Sequence, residues 1–231
     1  IYPYTYWQSH MMVLLPERDP TDLNAIDFVL RELAPPDGII FTNFPARPEV
    51  VGKTLTEVAR LYDKSPADTF SWLAQSSVAH TLKTGEPGDM MIGTSMTEAD
   101  VQALMLWPHT NICTDGSLFD GHPRGAGSFP KVLAHSVRDL GHLSLEQAIY
   151  KMTGLPADHM GLRERGKIAE GYIADLVLFD PATIIDHATT QAPYRLAEGV
   201  SAVWVAGQPV LQQGVSNDLF PGRVIRRASG D

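Results

Sequence analysis

The chain has 231 residues, 44% hydrophobic and 19% charged, enough for one large domain or a medium and a small one, with no tract whose composition suggests disorder. A formal net charge of -9 argues against a nucleic-acid partner, since phosphate binding needs clustered Lys and Arg and the one basic cluster is Arg223, Arg226 and Arg227 at the tail. No apolar run approaches the roughly 20 residues that span a bilayer and no signal peptide is visible, so no membrane partner is expected.

In chain order, residues 1–6 are β-branched and aromatic and predict a strand, which Pro3 confines to a strand end or an edge. An aromatic opening without an initiator Met is the kind of segment that lies inside a domain, so the chain is expected to be the C-terminal part of something longer. From Asp22 to Leu33, the residues Leu23, Ile26, Val29, Leu30 and Leu33 recur at helical spacing. Pro35-Pro36-Asp37-Gly38 ends that helix, and Ile39-Ile40-Phe41 predicts the next strand. Leu55, Val58, Ala59 and Tyr62 mark a second helix, and Ser65-Pro66 opens a third. Met90 to Gly93 is a short apolar run, and Thr97-Glu98-Ala99-Asp100 starts a helix that turns Val101, Leu104 and Met105 inward. Asn111 to Thr114 predicts a strand, Phe129 to Leu140 a helix, and Ser144 caps another that runs to about Met152. Strands alternating with helices predict βα units around a parallel sheet over residues 1–165. Near residue 166 the pattern changes. Gly171 to Asp180 predicts a strand pair, and Val200 to Val215, broken by Ala206-Gly207, predicts a hairpin. Residues 166–231 therefore read as a small all-β unit.

The richest stretch is Ile112-Cys113-Thr114-Asp115-Gly116, followed by His122-Pro123-Arg124. An acid at the C-terminal tip of a strand, with glycine where the chain turns, is well placed to bind a metal or move a proton. Asp-Gly is also a common turn dipeptide, in which the Asp merely caps a loop. Cys113 cannot form an internal disulfide, which permits a reducing, cytoplasmic setting, and it reads as a small buried hydrophobe.

Short blocks along the whole chain carry a resemblance. They are Tyr2-Pro3-Tyr4-Thr5, Gly52-Lys53-Thr54-Leu55, Met91-Ile92-Gly93, Thr114-Asp115-Gly116, His122-Pro123-Arg124 and Gly127-Ser128-Phe129-Pro130. They continue with Leu145-Glu146-Gln147-Ala148, Lys151-Met152-Thr153, Gly166-Lys167-Ile168, Gly171-Tyr172, Ala174-Asp175-Leu176-Val177 and Phe179-Asp180-Pro181. Each block is weak alone, but in this order the chain resembles the C-terminal half of the D-aminoacylases, the N-acyl-D-amino-acid deacylases of the amidohydrolase superfamily. The resemblance implies an α/β fold, the C-terminal half of a metal-dependent (β/α)8, TIM-like barrel followed by a small β-sandwich portion. It implies hydrolysis of the amide bond of an N-acyl-D-amino acid, with zinc or another divalent metal in the complete enzyme.

By the same resemblance, Asp115 passes the attacking water's proton to the leaving amine and is a possible weak metal ligand. Arg124 would grip the substrate's α-carboxylate through a bidentate fork. Tyr2 and Tyr4 match the family's Tyr-Pro-Tyr segment, whose hydroxyl contributes to carboxylate or oxyanion binding; Tyr2 is the favoured one, and at least one of the pair is expected to be a core aromatic with one satisfied hydroxyl. His122 is a weaker substrate-binding candidate that could simply order its loop. The family's main metal ligands, a His-x-His pair, a Cys and two later histidines, lie upstream of the Tyr-Pro-Tyr segment. The histidines of this chain, His10, His80, His109, His135, His142, His159 and His187 among them, show no ligand spacing. The missing barrel half, in cis or as another chain, is therefore an expected partner beside the small-molecule substrate, and the chain alone is expected to be inactive. Trp7-Gln8-Ser9-His10 also departs from the small residues of most relatives, which leaves open a cyclic amide, dipeptide or lactam substrate. A non-catalytic fragment that serves as partner or scaffold is the remaining alternative.

Overall fold

The computed structural model describes residues 1–117 and 121–225; Arg226 and Arg227 of the tail cluster lie outside the described residues. The elements are β1 (Tyr6–Ser9), α1 (Leu23–Glu32), β2 (Ile39–Asn43), α2 (Leu55–Leu61), α3 (Pro66–Thr84), β3 (Met90–Thr94) and α4 (Glu98–Leu106). Then come α5 (Arg124–Lys131), α6 (Leu145–Met152), α7 (Gly154–Met160), β4 (Leu176–Phe179), β5 (Val200–Val205), β6 (Gln208–Gln212) and β7 (Val215–Ser216). A π-helical stretch, Val132–Asp139, continues α5. Its start follows Pro130, a residue inside α5 that has no N–H to donate.

Side chains set most helix starts. Asp22 accepts from the Asn24 and Ala25 amides at the head of α1. Thr54, Thr97 and Ser144 close reciprocal capping boxes with Glu57, Asp100 and Gln147. Ser65 caps α3 with Pro66 in its first turn. Leu104, expected inward on α4, is exposed, whereas Val101 and Met105 are buried.

The first sheet corrects the expectation of a parallel one. Its order is β1-β3-β2, and β3 runs antiparallel to both neighbours, with Tyr6 opposite Thr94 and Ile40 opposite Ile92. The reason is helix parity. Between β1 and β2 there is one α-helix, α1, so those strands run the same way. Between β2 and β3 there are two, α2 and α3, and the second returns the chain to the end it left, so β3 fills the gap reversed. A strand-helix alternation is blind to that count. Ile39 and Phe41 of β2 and Met91 of β3 are buried with Phe70 and Leu73 of α3 and Ile26 and Val29 of α1, and Ile92 is buried as well.

Parallel pairing exists elsewhere. The Ile1 nitrogen donates to the Asn111 carbonyl at 2.8 Å, and the Cys113 amide donates to the Ile1 carbonyl at 2.8 Å. One residue bonded to the two that flank Ile112 is the pattern of a parallel ladder. The strand expected over 1–6 is thus an extended lead-in, and regular β-structure begins at Tyr6. On the other side, the Ile112 amide donates to the Lys151 carbonyl at 3.0 Å. Ile112 is buried with Val132, Leu143 and Ile184 in a second core that the C-terminal region helps to close.

The C-terminal sheet, β4-β5-β6-β7, is antiparallel throughout. The hairpin turns at Ala206-Gly207, both at positive φ (49° and 77°), the geometry of a type I′ turn. Of the strand pair expected over 171–180, only β4 forms. β4 is an edge strand whose Leu176, Val177 and Leu178 are exposed. An apolar edge with unpaired backbone groups recruits another strand. The 231-residue chain on its own should therefore self-associate, giving a sedimentation mass that rises with concentration. A strict monomer whose melt is unchanged by dilution would contradict this.

Candidate functional site

Three of the residues singled out by sequence, Arg124, Asp115 and Tyr2, meet at one guanidinium. Arg124 is the first residue of α5, and its side chain is only 10% exposed. Its Nη1 donates to Asp115 Oδ2 at 2.9 Å and to the Tyr2 hydroxyl at 3.2 Å. The guanidinium carbon also stands 5.2 Å from the centre of the Tyr2 ring, a cation–π distance. Asp115 is the open end of the pair, with 61% of its side chain exposed.

Local backbone chemistry builds this arrangement. Ile112 anchors the segment in the core, and Asp115 then takes φ 49°, a left-handed conformation that Asp tolerates better than most residues. The Thr114 hydroxyl accepts from the Gly116 amide at 3.3 Å and steadies the turn. A Cβ on Gly116 would overlap the Gly125 backbone, 2.6 Å from its nitrogen, so glycine is what lets the turn lie against the start of α5. That close approach brings Asp115 within reach of Arg124.

His122 works on the backbone. Its Nδ1 accepts from the Arg124 amide at 3.0 Å, which requires the Nε2 proton to face the Tyr6 carbonyl, also 3.0 Å away. Both ring nitrogens are thereby engaged, the tautomer is set, and the ring is 1% exposed. Its faces pack among Tyr2, Tyr4 and Tyr6, with ring centroids 5.7, 5.3 and 4.7 Å away.

The three tyrosines differ. Tyr2 touches Arg124; burial raises its pKa, and the Arg124 hydrogen bond and charge partly offset that. Tyr4 is 2% exposed, its hydroxyl has no hydrogen-bond partner among the described residues, and the Lys131 ammonium lies 4.4 Å from its ring centre. Burial and then the Asp186 charge push its phenol far above the ordinary range. Tyr6 is pushed up to about 12 by burial, then by Asp186 and Glu98. All three stay neutral near pH 7, as hydrogen-bonding rather than charged groups. Asp186 and Lys131 were not legible as neighbours of this cluster, because nothing in their spacing relates them to residues 2–6.

Cys113 is exposed, which corrects the expectation of a buried hydrophobe. Alternation along the extended segment sends Ile112 into the core and Cys113 to the opposite, uncovered face. Among the described residues no three His, Cys, Asp or Glu side chains converge as a metal site. Zinc needs three or four such donors at about 2.0–2.3 Å. Asp115 offers one carboxylate and Arg124 already occupies it, so these residues do not by themselves fit a zinc ion. A cleft of about 300 Å³ lies apart from Asp115 and Arg124, between α4 and the π-helical stretch, walled by Pro3, Val101, Met105 and Leu143 among others.

The amidohydrolase family model matches residues 98–211. The D-aminoacylase of Alcaligenes xylosoxydans xylosoxydans is 40% identical over 184 residues, which are 79% of this chain and 35% of that protein. The chain thus spans about a third of that relative's length. A crystal structure of D-aminoacylase, described as defining a novel subset of amidohydrolases, superposes with a TM-score of 0.79 at 36% identity, covering 98% of this chain and 42% of that one. The N-acyl-D-glutamate deacylase of Bordetella bronchiseptica, solved with zinc and a phosphonate mimic of the tetrahedral intermediate, gives a TM-score of 0.72 at 32% identity, covering 92% of this chain and 39% of that one.

Gly116→Ala should cost about 1–3 kcal/mol by overpacking against α5. Gly222→Ala, where an added Cβ meets nothing within 4 Å, should be close to neutral. Urea unfolding of both variants measures the difference, and equal stability would refute the close-approach account. Dialysed against a weak chelator, the 231-residue chain should keep well under one equivalent of zinc; a tightly held equivalent would show that ligands converge after all.

Proposed function

Because the chain belongs to the amidohydrolase family, on the branch of the D-aminoacylases, we propose that it supplies the carboxylate-recognising and proton-transferring side of an enzyme that hydrolyses N-acyl-D-amino acids. The observation that carries this reading is the Asp115–Arg124–Tyr2 constellation, an exposed acid paired with a nearly buried guanidinium. On the same reading, residues 1–165 are part of a (β/α)8 barrel, which the parallel pairing of Ile1 with Asn111 and Cys113 supports. Residues 166–231 are a segment of a β-sandwich, which the four-stranded antiparallel sheet supports. The rest of the barrel and the main metal ligands come from outside these 231 residues, in cis or from another chain.

The chemistry assigns each group a task. Hydrolysis adds water across the amide C–N bond: its oxygen goes to the acyl carbon and a proton to the leaving nitrogen. Asp115 takes the proton from water as general base and returns it to the amine as general acid. Arg124 presents a planar fork to the substrate carboxylate, and the Tyr2 hydroxyl adds a neutral donor beside it. A divalent metal such as zinc, held by ligands outside these 231 residues, would supply Lewis acidity to the reaction.

The resting ion pair gives this scheme an order of events. Arg124 holds the Asp115 carboxylate until the substrate's own carboxylate competes for the guanidinium. Substrate binding then exchanges one anion for another at Arg124 and leaves Asp115 available as base. A neutral amide cannot make that exchange, so the pair selects for an acidic substrate.

The test uses the complete protein, assayed on N-acetyl-D-amino acids, their L-enantiomers and a neutral cyclic amide. Asp115→Asn keeps the shape and removes the base, so kcat should fall by about 10²–10⁴-fold. Arg124→Lys keeps the charge and loses the fork. It should lower kcat/KM on the D-substrate by about 10–100-fold, the worth of a charge-assisted hydrogen bond, while turnover of the neutral amide stays at its wild-type level. Wild-type kcat in Asp115→Asn would remove it from proton transfer. An equal loss on both substrates would remove Arg124 from carboxylate recognition, whereas efficient wild-type turnover of the neutral amide, untouched by Arg124→Lys, would favour the cyclic-amide alternative.

A further inference from the structure

Lys151, on α6, is 6% exposed, and no carboxylate of the described residues forms a salt bridge with it. A buried ammonium without a counter-ion is costly, and burial depresses its pKa. What answers the charge is backbone. Nζ donates to the Trp107 carbonyl at 2.6 Å and to the Thr110 carbonyl at 3.3 Å. Trp107 is the C-cap of α4, at the helix end that carries a partial negative charge, and its carbonyl also accepts from the Thr110 amide at 3.1 Å. The backbone of the same residue holds the next segment, because the Lys151 carbonyl accepts from the Ile112 amide at 3.0 Å. Side chain and main chain of one residue thus fasten both ends of the loop 107–112. Asp115 follows just after that loop, with no regular element between them. Across from Lys151, Ile1 bonds Asn111 and Cys113, so the segment is gripped from both sides.

We propose that Lys151 is a positioning residue: by bridging the end of α4 to Ile112 it sets where the 111–115 segment runs, and so where Asp115 meets Arg124. This rests on Asp115 being the proton-transfer residue of the proposed reaction. The lysine touches neither substrate nor reacting atoms. Its effect belongs in kcat, through the placement of the acid, and not in KM, which the Arg124 fork controls. A displacement of about an ångström is enough to cost a large factor in rate.

The test compares Lys151→Met, Lys151→Gln and Lys151→Arg in the complete protein, by kinetics and by hydrogen exchange of the peptides covering 107–113, 39–43 and 90–94. Met keeps the stem and drops the donors, Gln keeps one short donor group, and Arg can span two carbonyls. In Lys151→Met, exchange over 107–113 should quicken about tenfold while β2 and β3 keep wild-type rates. Its kcat should fall about tenfold with KM within about twofold, and Arg should restore most of the loss. If Met does not fold, Gln carries the same expectation. Wild-type kcat in Lys151→Met overturns the proposal, and so does a fall in kcat without faster local exchange. Exchange that rises equally in all three peptides shows a general loss of stability and overturns it too. If the wild-type protein hydrolyses no N-acyl-D-amino acid, the reading of the reaction fails; exchange over 107–113 then still decides whether Lys151 fastens the loop.

Discussion

A guanidinium that water scarcely reaches has to be answered by other groups, and the site is organised by that need. The cost of burying such a charge is offset only by partners close to it. Asp115 and Tyr2 answer it, and each is delivered by a separate backbone device. Asp115 arrives because Gly116 lets its turn lie on α5. Tyr2 arrives because Ile1 is bonded in parallel to Asn111 and Cys113. His122 fixes the first amide of α5, and with it the direction in which Arg124 leaves the helix. Each of these devices therefore helps to place a partner beside a buried charge.

What could be read from the residues follows from the range of the forces involved. Helix starts are local, and the Asp22, Thr54, Ser65, Thr97 and Ser144 caps are all found where a short polar side chain precedes the helix. The Ala206-Gly207 turn is local in the same sense. Strand direction is not, because it depends on whether one helix or two intervene and on which edge is free. The start of α5 at Arg124 was also hidden: a helix opening Arg-Gly-Ala-Gly has low intrinsic propensity and is held by His122 and by packing on Gly116. Within the site, the resemblance pointed to Asp115, Arg124, Tyr2, Tyr4 and His122, and the fold gathers all five. Their division of labour was not legible. Whether a tyrosine faces Arg124 or a closed aromatic cluster, and whether a histidine's nitrogens are spent on backbone, are facts of packing. Lys151 shows the same limit: its motif was visible, but its two carbonyl partners lie on a loop distant in sequence.

Charge sharpens the picture. A chain with net charge -9 repels an anionic substrate at long range, a repulsion that salt screens. At contact, the low exposure of Arg124 reverses the balance, since a desolvated guanidinium attracts a carboxylate more strongly than an exposed one. Because Asp115 already neutralises it, the resting site carries little net charge, and the proposed substrate replaces one carboxylate by another. On the proposed reading, selectivity for an acidic substrate comes from exchange at a single cation and needs no basic surface.

The antiparallel sheet is tied mechanically to this exchange. Residues 2–9 run from the Tyr2 contact with Arg124, through the buried Tyr4, into β1. Tyr6 is where the two meet: its backbone pairs with Thr94 of β3, and its carbonyl faces His122, which in turn receives the Arg124 amide. A shift of β1 along β3 would therefore pull on both the guanidinium and its tyrosine partner, Arg124 through the histidine and Tyr2 through the chain. Close-packed strands resist such sliding, because a one-residue slip turns every side chain to the other face. The buried aliphatic residues of β2 and β3 thus do more than stabilise their own sheet: they hold the register from which the site's tyrosine and arginine are hung.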